Sequence, residues 1–513
     1  MGTVSIATSF LAIAVLLAWL KFTSATKNLP LPPGPSGVPI LGNTLQVSKE
    51  HAWRQYLSWI NEFGPVVRLS IAGKTFILLG SAAAATDPLN KKSLTTSARP
   101  RMIMANDLVT KNMHILLRPY TAMYRLHQKM QAPVLSVAVA NSEKIYELKS
   151  LRLLHNLLQG GPNVNFQKHL ETANLGVVYA LVYGMNVDTG TEEVVLETIK
   201  TQREFNRVTL PCAYLVDTLP FLNYLPTFLA PWRREAEEIY KQESNLYFKN
   251  LRASLNAPGW NFAKHFSQST ESKQMSQVEL AYRLGILTNA GFDTTTMVME
   301  WFIVALITHP SCLRKAQKAL DEVVGHDRLP NLADKDHLPY ITALVEEVLR
   351  WRNIMIAAFP HVATEDMEYK GQYHIPKNSI LIPHMWAIDH DAKVFSDPDD
   401  FIPERWLTPD EKHLLGPQEL SHFAFGFGRR KCTGLNIARN TIWLILARIM
   451  WGFDVGNSVG EDGKVDDMAM DGSGFNTRAL PSKARFEVRG DWVEKIVKEE
   501  WEGTEKDVGS YLS

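Results

Sequence analysis

The chain has 513 residues, 45% of them hydrophobic, and its 54 basic and 54 acidic side chains leave a formal net charge of zero. This composition excludes an intrinsically disordered protein, and the lack of net positive charge argues against a nucleic-acid-binding protein. The three cysteines, Cys212, Cys312 and Cys432, are too few and odd in number for a disulfide framework. We therefore expect a globular protein of a reducing compartment with no nucleic-acid partner.

The N-terminal segment is apolar enough to enter a membrane. No charged residue occurs in the 19 positions from Gly2 to Leu20, a length that just spans a bilayer core of about 30 Å. A cleaved signal peptide is the alternative, since the small residues from Ser24 to Thr26 resemble a cleavage site. The basic residues Lys21 and Lys27 follow the apolar run, which favours an anchor that leaves the body of the protein cytosolic.

The remainder of the chain has the pattern of one large, mostly helical unit. A stiff proline-rich spacer runs from Pro30 to Pro35, and no repeat or linker follows it. Val, Ile and Phe on both sides of Gly73 predict a β-hairpin from Val66 to Leu79. The clearest helical stretches are Ser276 to Pro310, which opens with a Ser276–Glu279 capping box, Pro310 to Val324, Leu338 to Trp351 and Leu435 to Gly452. We predict a membrane anchor over residues 1–28 and, over residues 29–513, one domain that is mainly α with a minor β part.

A glycine-bent loop places one cysteine directly before the last of these helices. It reads Phe425-Gly-Phe-Gly-Arg-Arg-Lys-Cys432-Thr-Gly434. The three cations beside Cys432 and the helix N-terminus are expected to lower the pKa of its thiol, and the glycines allow backbone N–H groups to approach the sulfur. Such hydrogen bonds tune a metal bound through sulfur. For Cys212 and Cys312 we expect small buried side chains without a chemical role.

Phe425, Gly428, Arg430, Cys432 and Gly434 together resemble the signature of the cytochrome P-450 haem-thiolate monooxygenases. Five fixed residue types within ten positions rarely coincide, and the resemblance extends over nearly the whole chain. It implies a large helical domain that carries haem b, with Cys432 as the axial ligand of the iron. It also implies contacts of Phe425 and Arg430 with the haem.

Polar and small residues interrupt the apolar pattern of the long helix at Ala290-Gly-Phe-Asp293-Thr294. A glycine inside a helix costs about 1 kcal/mol relative to alanine, so these residues need a reason. One reason is close packing against another helix at Gly291. The family resemblance implies another: the small residues make room for dioxygen, Thr294 supports its activation, and Asp293 relays protons from solvent.

The resemblance places further residues at the haem. His361, after Pro360, corresponds to a common hydrogen-bond donor to a haem propionate, although a histidine in a strand is more often a polar surface residue. The family also presents a tryptophan and an arginine from an early helix, where this chain has Tyr124 and Gln128. Tyr124 can still donate a hydrogen bond. The source of the positive charge stays open among Arg125, His127 and Lys129.

Three charged residues are expected to support the fold and not the chemistry. Glu347 and Arg350 lie three residues apart on one helix, a pair that alone is worth only about 0.2 to 0.5 kcal/mol at an exposed site. The family resemblance adds Arg405 to this pair and implies a buried network that holds the cysteine loop.

The substrate contacts are expected, by resemblance, in the stretches Arg99 to Tyr120 and Thr209 to Trp232, whose aromatic and aliphatic content suggests an apolar small molecule. The segment from Ile354 to Ala358 lacks the prolines that are common there in the family, which predicts an unusual pocket wall.

The resemblance implies a single-pass enzyme of the endoplasmic reticulum membrane whose catalytic domain is cytosolic. Because the chain has no glycine fingerprint for a flavin or dinucleotide, electrons from NADPH are expected through a separate flavoprotein reductase, with cytochrome b5 as an optional donor. The style of the sequence points to fungal secondary metabolism. A xenobiotic-detoxifying monooxygenase, a haem-thiolate isomerase or dehydratase, and a haem-free membrane scaffold are the alternatives; Asp293 and Thr294 argue against the isomerase.

Overall fold

The fold was obtained as a computed structural model, which describes residues 29–511 except 40, 49–50, 162, 211–212, 459–469, 472–475 and 481–482. The predicted anchor over residues 1–28 and the side chain of Cys212 lie outside the described residues. The described α-helices, numbered in chain order, are α1 Ala52–Phe63, α2 Ala82–Thr86, α3 Ser93–Thr96, α4 Ala122–Asn141, α5 Glu143–Gln159, α6 Phe166–Tyr183, α7 Glu193–Val208, α8 Leu215–Thr218, α9 Pro231–Asn256, α10 Phe262–Gln268, α11 Gln277–Thr308, α12 Pro310–Val323, α13 Pro339–Trp351, α14 Met385–Asp389, α15 Leu435–Gly452 and α16 Asp491–Gly503. The chain is mainly α, as predicted.

The β part consists of short strands in four small sheets among the described residues. The strands are β1 Val66–Ile71, β2 Lys74–Leu79, β3 Asn163–Val164, β4 His361–Val362, β5 Met367–Tyr369, β6 Tyr373–Ile375, β7 Ile380–Pro383, β8 Phe453–Asn457, β9 Met470–Asp471, β10 Arg478–Ala479 and β11 Ala484–Val488. In the largest sheet the order is β1-β2-β7-β4, and only β2 and β7 run parallel.

The predicted hairpin is confirmed. β1 and β2 pair antiparallel with Val66 opposite Leu79, and Gly73 turns the chain with a φ of +74°. A positive φ is accessible to glycine at little cost, which explains the residue at this position. β2 continues the sheet toward β4, where His361 lies opposite Leu381 of β7.

Helix α11 runs through the centre of the molecule. Its 32 residues correspond to about 48 Å, and most of its side chains are buried. It is the one described helix that is long and apolar enough to cross a membrane, but 83% of that apolar stretch is buried inside the protein, as expected of a core helix. The helix ends at Thr308, before Pro310, which opens α12.

The capping box predicted for the start of α11 is half formed. The Ser276 side chain accepts a hydrogen bond from the Glu279 backbone N–H, as predicted. The Glu279 side chain turns away and pairs with Arg118 at 2.7 Å and His127 Nε2 at 3.1 Å. Partners from a distant part of the chain therefore replace the local contact.

The network of Glu347, Arg350 and Arg405 is buried, as the resemblance implied. Arg350 donates to both carboxylate oxygens of Glu347 at 2.7 and 2.9 Å, and Arg405 Nε donates at 3.1 Å. The Glu347 carboxylate also accepts hydrogen bonds from Trp406 Nε1 at 2.8 Å and from the Ile402 backbone N–H at 2.9 Å. This network ties α13 to the segment that precedes the cysteine loop.

Candidate active site

A cavity of about 650 Å³ lies beside α11 in the middle of the fold. Its walls come from α7, α11, the segment around β4, and the loop that precedes α15. Among the residues predicted from the sequence, those that line this cavity are Asp293, Thr294, His361, Phe425, Arg430 and Cys432. The fold thus brings together side chains that are up to 139 positions apart in the sequence.

The cysteine loop is held against a helical turn at residues 87–91. Gly428 has a φ of +50°, and a Cβ at this position would lie 2.1 Å from the Leu89 carbonyl oxygen. The Gly428 N–H donates to Asn90 Oδ1 at 2.7 Å, and the Cys432 N–H donates to the Phe425 carbonyl at 2.8 Å. Only glycine fits position 428 for both reasons, so the loop shape follows directly from its sequence.

The electrostatic environment of Cys432 differs from the expectation. Cys432 lies deep in the molecule, and its accessible surface faces the cavity. Burial raises the pKa of its thiol above the ordinary value, against the lowering effects of the Gly434 backbone N–H and Lys431. Lys431 and the Gly434 N–H lower this pKa, as predicted, but burial outweighs them, so the net direction is opposite to the prediction.

Arg430 reaches away from Cys432 and binds backbone carbonyls. Its guanidinium donates to the carbonyls of Ser97 at 2.9 Å, Ile115 at 3.2 Å and Arg118 at 2.6 Å. Arg429 donates to Tyr120 Oη at 3.3 Å and is exposed. The position of Arg430 is therefore determined by the backbone around residues 97–118, which it anchors to the cysteine loop.

Arg99 joins Arg430 at the same edge of the cavity. It donates to the carbonyls of Leu116, Phe359 and Pro360 at 2.7 to 3.0 Å, and burial together with Arg430 lowers its pKa to about 9. Within the described part of the chain, neither guanidinium forms an ion pair with a carboxylate. Two deep cations without an acidic partner leave positive charge facing the cavity, which suits the anionic propionate edge of a haem.

His361 adds a neutral polar group to this edge. It is buried, and its Nδ1 lies 2.8 Å from the Thr96 carbonyl oxygen, so Nδ1 carries the proton and donates. Burial, Arg99 and Arg430 hold the pKa of His361 well below its usual range. His361 is thus not the surface histidine that was the alternative interpretation.

Tyr124 supports Arg430 from outside the cavity. The guanidinium of Arg430 lies 3.9 Å from the centroid of the Tyr124 ring, and Tyr124 Oη accepts from Gln128 Nε2 at 2.7 Å. Tyr124 is not among the residues that line the cavity.

The three open candidates for positive charge do not line the cavity either. Arg125 stacks on Tyr120, His127 pairs with Glu279, and Lys129 pairs with Glu271. Arg99, which the sequence placed only in a substrate stretch, occupies the edge in their stead.

The small and polar residues that interrupt the apolar pattern of α11 contact both α6 and the cavity. A Cβ on Gly291 would meet a methyl group of Val178 at 3.3 Å, so close packing against α6 is one reason for the glycine. Asn174 of α6 also donates to the Phe292 carbonyl at 2.6 Å. Thr294 lines the cavity, and its hydroxyl donates to the Ala290 carbonyl at 2.8 Å. Close packing at Gly291 is therefore confirmed, and Thr294 lies at the cavity wall, where the predicted role in dioxygen activation stays a prediction.

Asp293 is buried and accepts hydrogen bonds on both carboxylate oxygens. Oδ2 accepts from Gln202 Nε2 at 3.1 Å and from Asn206 Nδ2 at 3.3 Å, while Oδ1 accepts from Arg478 Nη2 at 3.2 Å. Gln202 and Asn206 lie four residues apart and share a face of α7. The sequence did not indicate these partners, because the periodicity of α7 marks a face but not the element that this face meets.

The cavity wall agrees partly with the expected substrate stretches. His114 and Leu116 come from the first stretch and Thr209 and Leu210 from the second. The expected wall segment Ile354 to Ala358 also contributes. The sequence missed the contribution of α7, just before the second stretch: Ile199, Gln202, Arg203, Phe205, Asn206 and Arg207.

Comparison with known proteins defines the class. A family model described as Cytochrome P450 matches residues 32–481. The chain is 33% identical to the cytochrome P450 monooxygenase aneD of Aspergillus aculeatus, over 100% of the chain and 99% of that protein. It is 34% identical to drtD of Aspergillus calidoustus, over 99% of the chain and 94% of that protein. FrzL of Cladobotryum sp is 33% identical, over 95% and 93%.

The fold and the cavity, with a cysteine in its wall, define a haem-thiolate enzyme in which a cysteine binds the haem iron. The chain belongs to the cytochrome P450 family and resembles fungal members that are named monooxygenases. It is therefore an oxidoreductase that uses dioxygen and electrons from a redox partner. These relatives favour a monooxygenase over an isomerase or dehydratase.

Proposed function

We propose that this chain is a membrane-anchored monooxygenase that inserts one oxygen atom of dioxygen into an apolar small molecule of fungal secondary metabolism, with Cys432 as the axial ligand of haem b. The observation that carries the proposal is the presence of Cys432 and two unpaired deep cations, Arg99 and Arg430, around one cavity. Detoxification of xenobiotics would use the same site and differs only in the substrate.

The residues present fit the haem. Cys432 supplies the thiolate, Arg99 and Arg430 supply charge for the propionates, and Phe425 supplies an apolar surface beside the cysteine. When bound, thiolate-ligated haem supplies the activation of dioxygen and favours O–O cleavage. His361 keeps its Nδ1 proton on the Thr96 carbonyl, so the neutral ring has no proton on Nε2 to donate to a propionate, contrary to the prediction, and Nε2 can only accept, for example from a water. Tyr124 contributes indirectly, because its ring holds Arg430 in place.

Thr294 and Asp293 are assigned to proton delivery. The Thr294 hydroxyl faces the cavity and donates to the Ala290 carbonyl, so its oxygen can still accept a hydrogen bond, and the O–H has to turn away from Ala290 before it donates into the cavity. Asp293 is held as a carboxylate acceptor by Arg478, Gln202 and Asn206. For Asp293 to pass a proton toward Thr294, one of these hydrogen bonds has to break.

The cavity supports an apolar substrate with a limited polar part. Aliphatic and aromatic side chains cover most of its wall, including Phe205, Ile286 and Val298. Its polar groups include Asp293 with its partners on α7, and Arg99, Arg430 and His361 at the edge beside the cysteine loop. The apolar part of the wall would take up the hydrocarbon part of such a substrate and exclude water from it.

Electrons are proposed to come from an NADPH-dependent flavoprotein reductase, with cytochrome b5 as an optional donor. Arg429, Lys431 and Arg125 are exposed near the cysteine loop and form a basic surface for an acidic partner. Residues 1–28 are proposed to anchor the protein in the endoplasmic reticulum membrane, with a single span and a cytosolic catalytic domain.

The experiment that tests this function is the absorption spectrum of the reduced protein under carbon monoxide. We expect the strongly red-shifted Soret band of thiolate-ligated haem in the wild type and in Cys312→Ala, whose cysteine is remote from the cavity. Cys432→Ala should lose the band while circular dichroism still reports helix. Absence of the band in the wild type, or its persistence in Cys432→Ala, would overturn the proposal.

A further inference from the structure

Behind Asp293 lies a group of three carboxyl groups around one arginine, which we name the Arg478 cluster: Glu171 of α6, Asp293 and Glu300 of α11, and Arg478 of β10. Arg478 Nη2 contacts Asp293 Oδ1 at 3.2 Å, and Arg478 Nε lies 3.1 Å from Glu300 Oε2. Glu171 interacts electrostatically with Arg478 and Asp293. The cluster holds more acid than one guanidinium balances, so some of its carboxyl groups are suited to hold protons.

Two of these carboxyl groups differ in their access to solvent. Glu300 is only 2% exposed and does not line the cavity. Glu171 is half-buried and lines the central cavity, and it also lines a second depression of about 380 Å³ between α6 and α7. Only Ile199 and Arg203 share this double position among the described residues, so Glu171 is the one carboxyl group there that faces both spaces.

The charges that face Glu171 come from four elements. Its ionised form is favoured by three cations: Lys168 of α6, Arg203 of α7 and Arg478 of β10. It is disfavoured by Asp293 of α11, and Glu171 and Glu300 disfavour each other's ionised form. Burial is the largest effect and raises the pKa of Glu171 above its ordinary value. Burial likewise raises the pKa of Glu300 to about 8. Both groups can therefore carry a proton nearer to neutral pH than an exposed glutamate.

We propose that Glu171 is the solvent-side proton donor of this enzyme and that it delivers protons from the depression between α6 and α7 to Asp293. The inference rests on the proposed role of Asp293 and Thr294 in dioxygen reduction. Solvent protonates the Glu171 carboxylate, the Glu171 O–H passes its proton to the Asp293 carboxylate through water in the cavity, and solvent then protonates Glu171 again. No electron moves in these steps, and one proton enters for each that leaves Asp293.

Arg478 has a positioning role in this route. Its contact with Asp293 Oδ1 keeps this carboxylate turned toward the cluster. Glu300 lies against the same guanidinium but is buried and lines neither the cavity nor the depression. The route therefore runs through Glu171, and Glu300 takes no part in it.

The test uses the purified full-length haem protein with a reductase, and compares Glu171→Gln with Glu300→Gln. Glu171→Gln should keep the red-shifted carbon monoxide band but release several-fold more hydrogen peroxide per NADPH and show a larger solvent deuterium isotope effect. Glu171→Asp keeps an acid and should recover most of the coupling. Added formate, a small proton carrier, should partly rescue Glu171→Gln, which a purely structural defect would not allow.

A second readout does not depend on turnover. Infrared spectra of the substrate-free haem protein should show a carboxylic-acid C=O band that titrates with solvent pH and disappears in Glu171→Gln. Glu204→Gln is the matched control, since Glu204 lines the depression but not the central cavity. It should leave both the band and the coupling unchanged.

The outcomes separate this inference from the function on which it rests. A wild-type protein without the red-shifted band would refute the function itself. A well-coupled wild type whose Glu171→Gln variant has the same coupling and isotope effect would refute only the route through Glu171. Strong uncoupling in Glu300→Gln but not in Glu171→Gln would transfer the route to Glu300 and would also overturn the inference.

Discussion

At the scale of single residues, side chains that the sequence singles out owe their chemistry to neighbours that it does not reveal. Thr294 is an example, because its hydroxyl faces the cavity only as a result of how α11 crosses the fold. Asp293 is the preceding residue, and its carboxylate accepts from different partners, on α7 and β10. Adjacent positions on a helix are about 100° apart, so the two side chains point in different directions, and we propose that they serve different parts of one proton relay.

Thr294→Ala should separate dioxygen consumption from product formation. We expect normal haem content, since the hydroxyl bonds only to the Ala290 carbonyl of its own helix. Product formation per NADPH should fall by about 10²-fold, the lower end of what proton transfer contributes, with the difference appearing as hydrogen peroxide. Thr294→Ser retains the hydroxyl and serves as the control. Unchanged coupling in Thr294→Ala would remove this residue from the relay.

At the scale of elements, buried polar contacts between helices make the stability of the fold sensitive to protonation. Glu243 of α9 is buried against α11, where Tyr282 Oη donates to its Oε2 at 3.3 Å. Burial raises the pKa of Glu243 from 4.5 to about 8. Between these values the folded state holds one more proton than the unfolded state, so the free energy of unfolding falls as the pH rises.

Glu243→Gln should therefore stabilise the protein in a pH-dependent manner. The native contribution of Glu243 is lost at about 1.4 kcal/mol per pH unit between pH 4.5 and 8, and glutamine lacks this loss. The gain in Tm over the wild type should be larger at pH 8 than at pH 5. Glu238→Gln, an exposed position on the same helix, should show no such trend. A gain that is equal at both pH values would contradict the prediction.

Arg350→Met tests the network that joins α13 to the segment before the cysteine loop. It leaves the fully buried Glu347 carboxylate without its bidentate partner, which typically costs about 3 to 5 kcal/mol. We expect a marked loss of Tm and of recovered haem protein. Lys318→Ala removes one member of the exposed pair with Glu322 on α12 and should cost less than about 1 kcal/mol. Equal effects of the two substitutions would show that the network does not stabilise the fold.

At the scale of the whole molecule, the catalytic unit and the apolar N-terminus are proposed to be separable. The core helix α11 satisfies the length and apolarity of a membrane span but packs inside the protein. We therefore propose that the membrane-spanning segment lies within residues 1–28. The family match begins at residue 32, after this segment.

Removal of residues 1–28 should release the protein from membranes without loss of the haem site. We expect the truncated chain to show the same red-shifted carbon monoxide band as the full chain and a larger fraction in the soluble extract. The full chain, fractionated in parallel, is the control. A truncated protein without the band would show that the two parts are not separable.

The sequence by itself determined the features that depend on neighbours along the chain. The Ser276 cap, the Gly73 turn and the bounds of α15 follow from local backbone hydrogen bonding and φ preferences. The spacing of glycines, arginine and cysteine from Phe425 to Gly434 was specific enough to identify the family. The residue types of the site could thus be named in advance.

Only the tertiary structure decided how these residues act, because desolvation and pairing depend on everything within a few ångströms. At Cys432, the effect of burial on the thiol pKa outweighs that of the local cations. Arg99 lies at the cavity edge. The Glu279 side chain bonds to Arg118 and His127 and not to the N-terminus of its own helix. The Arg478 cluster unites three distant segments. The periodicity of the sequence does not predict which elements contact each other, because these contacts form only when the helices pack.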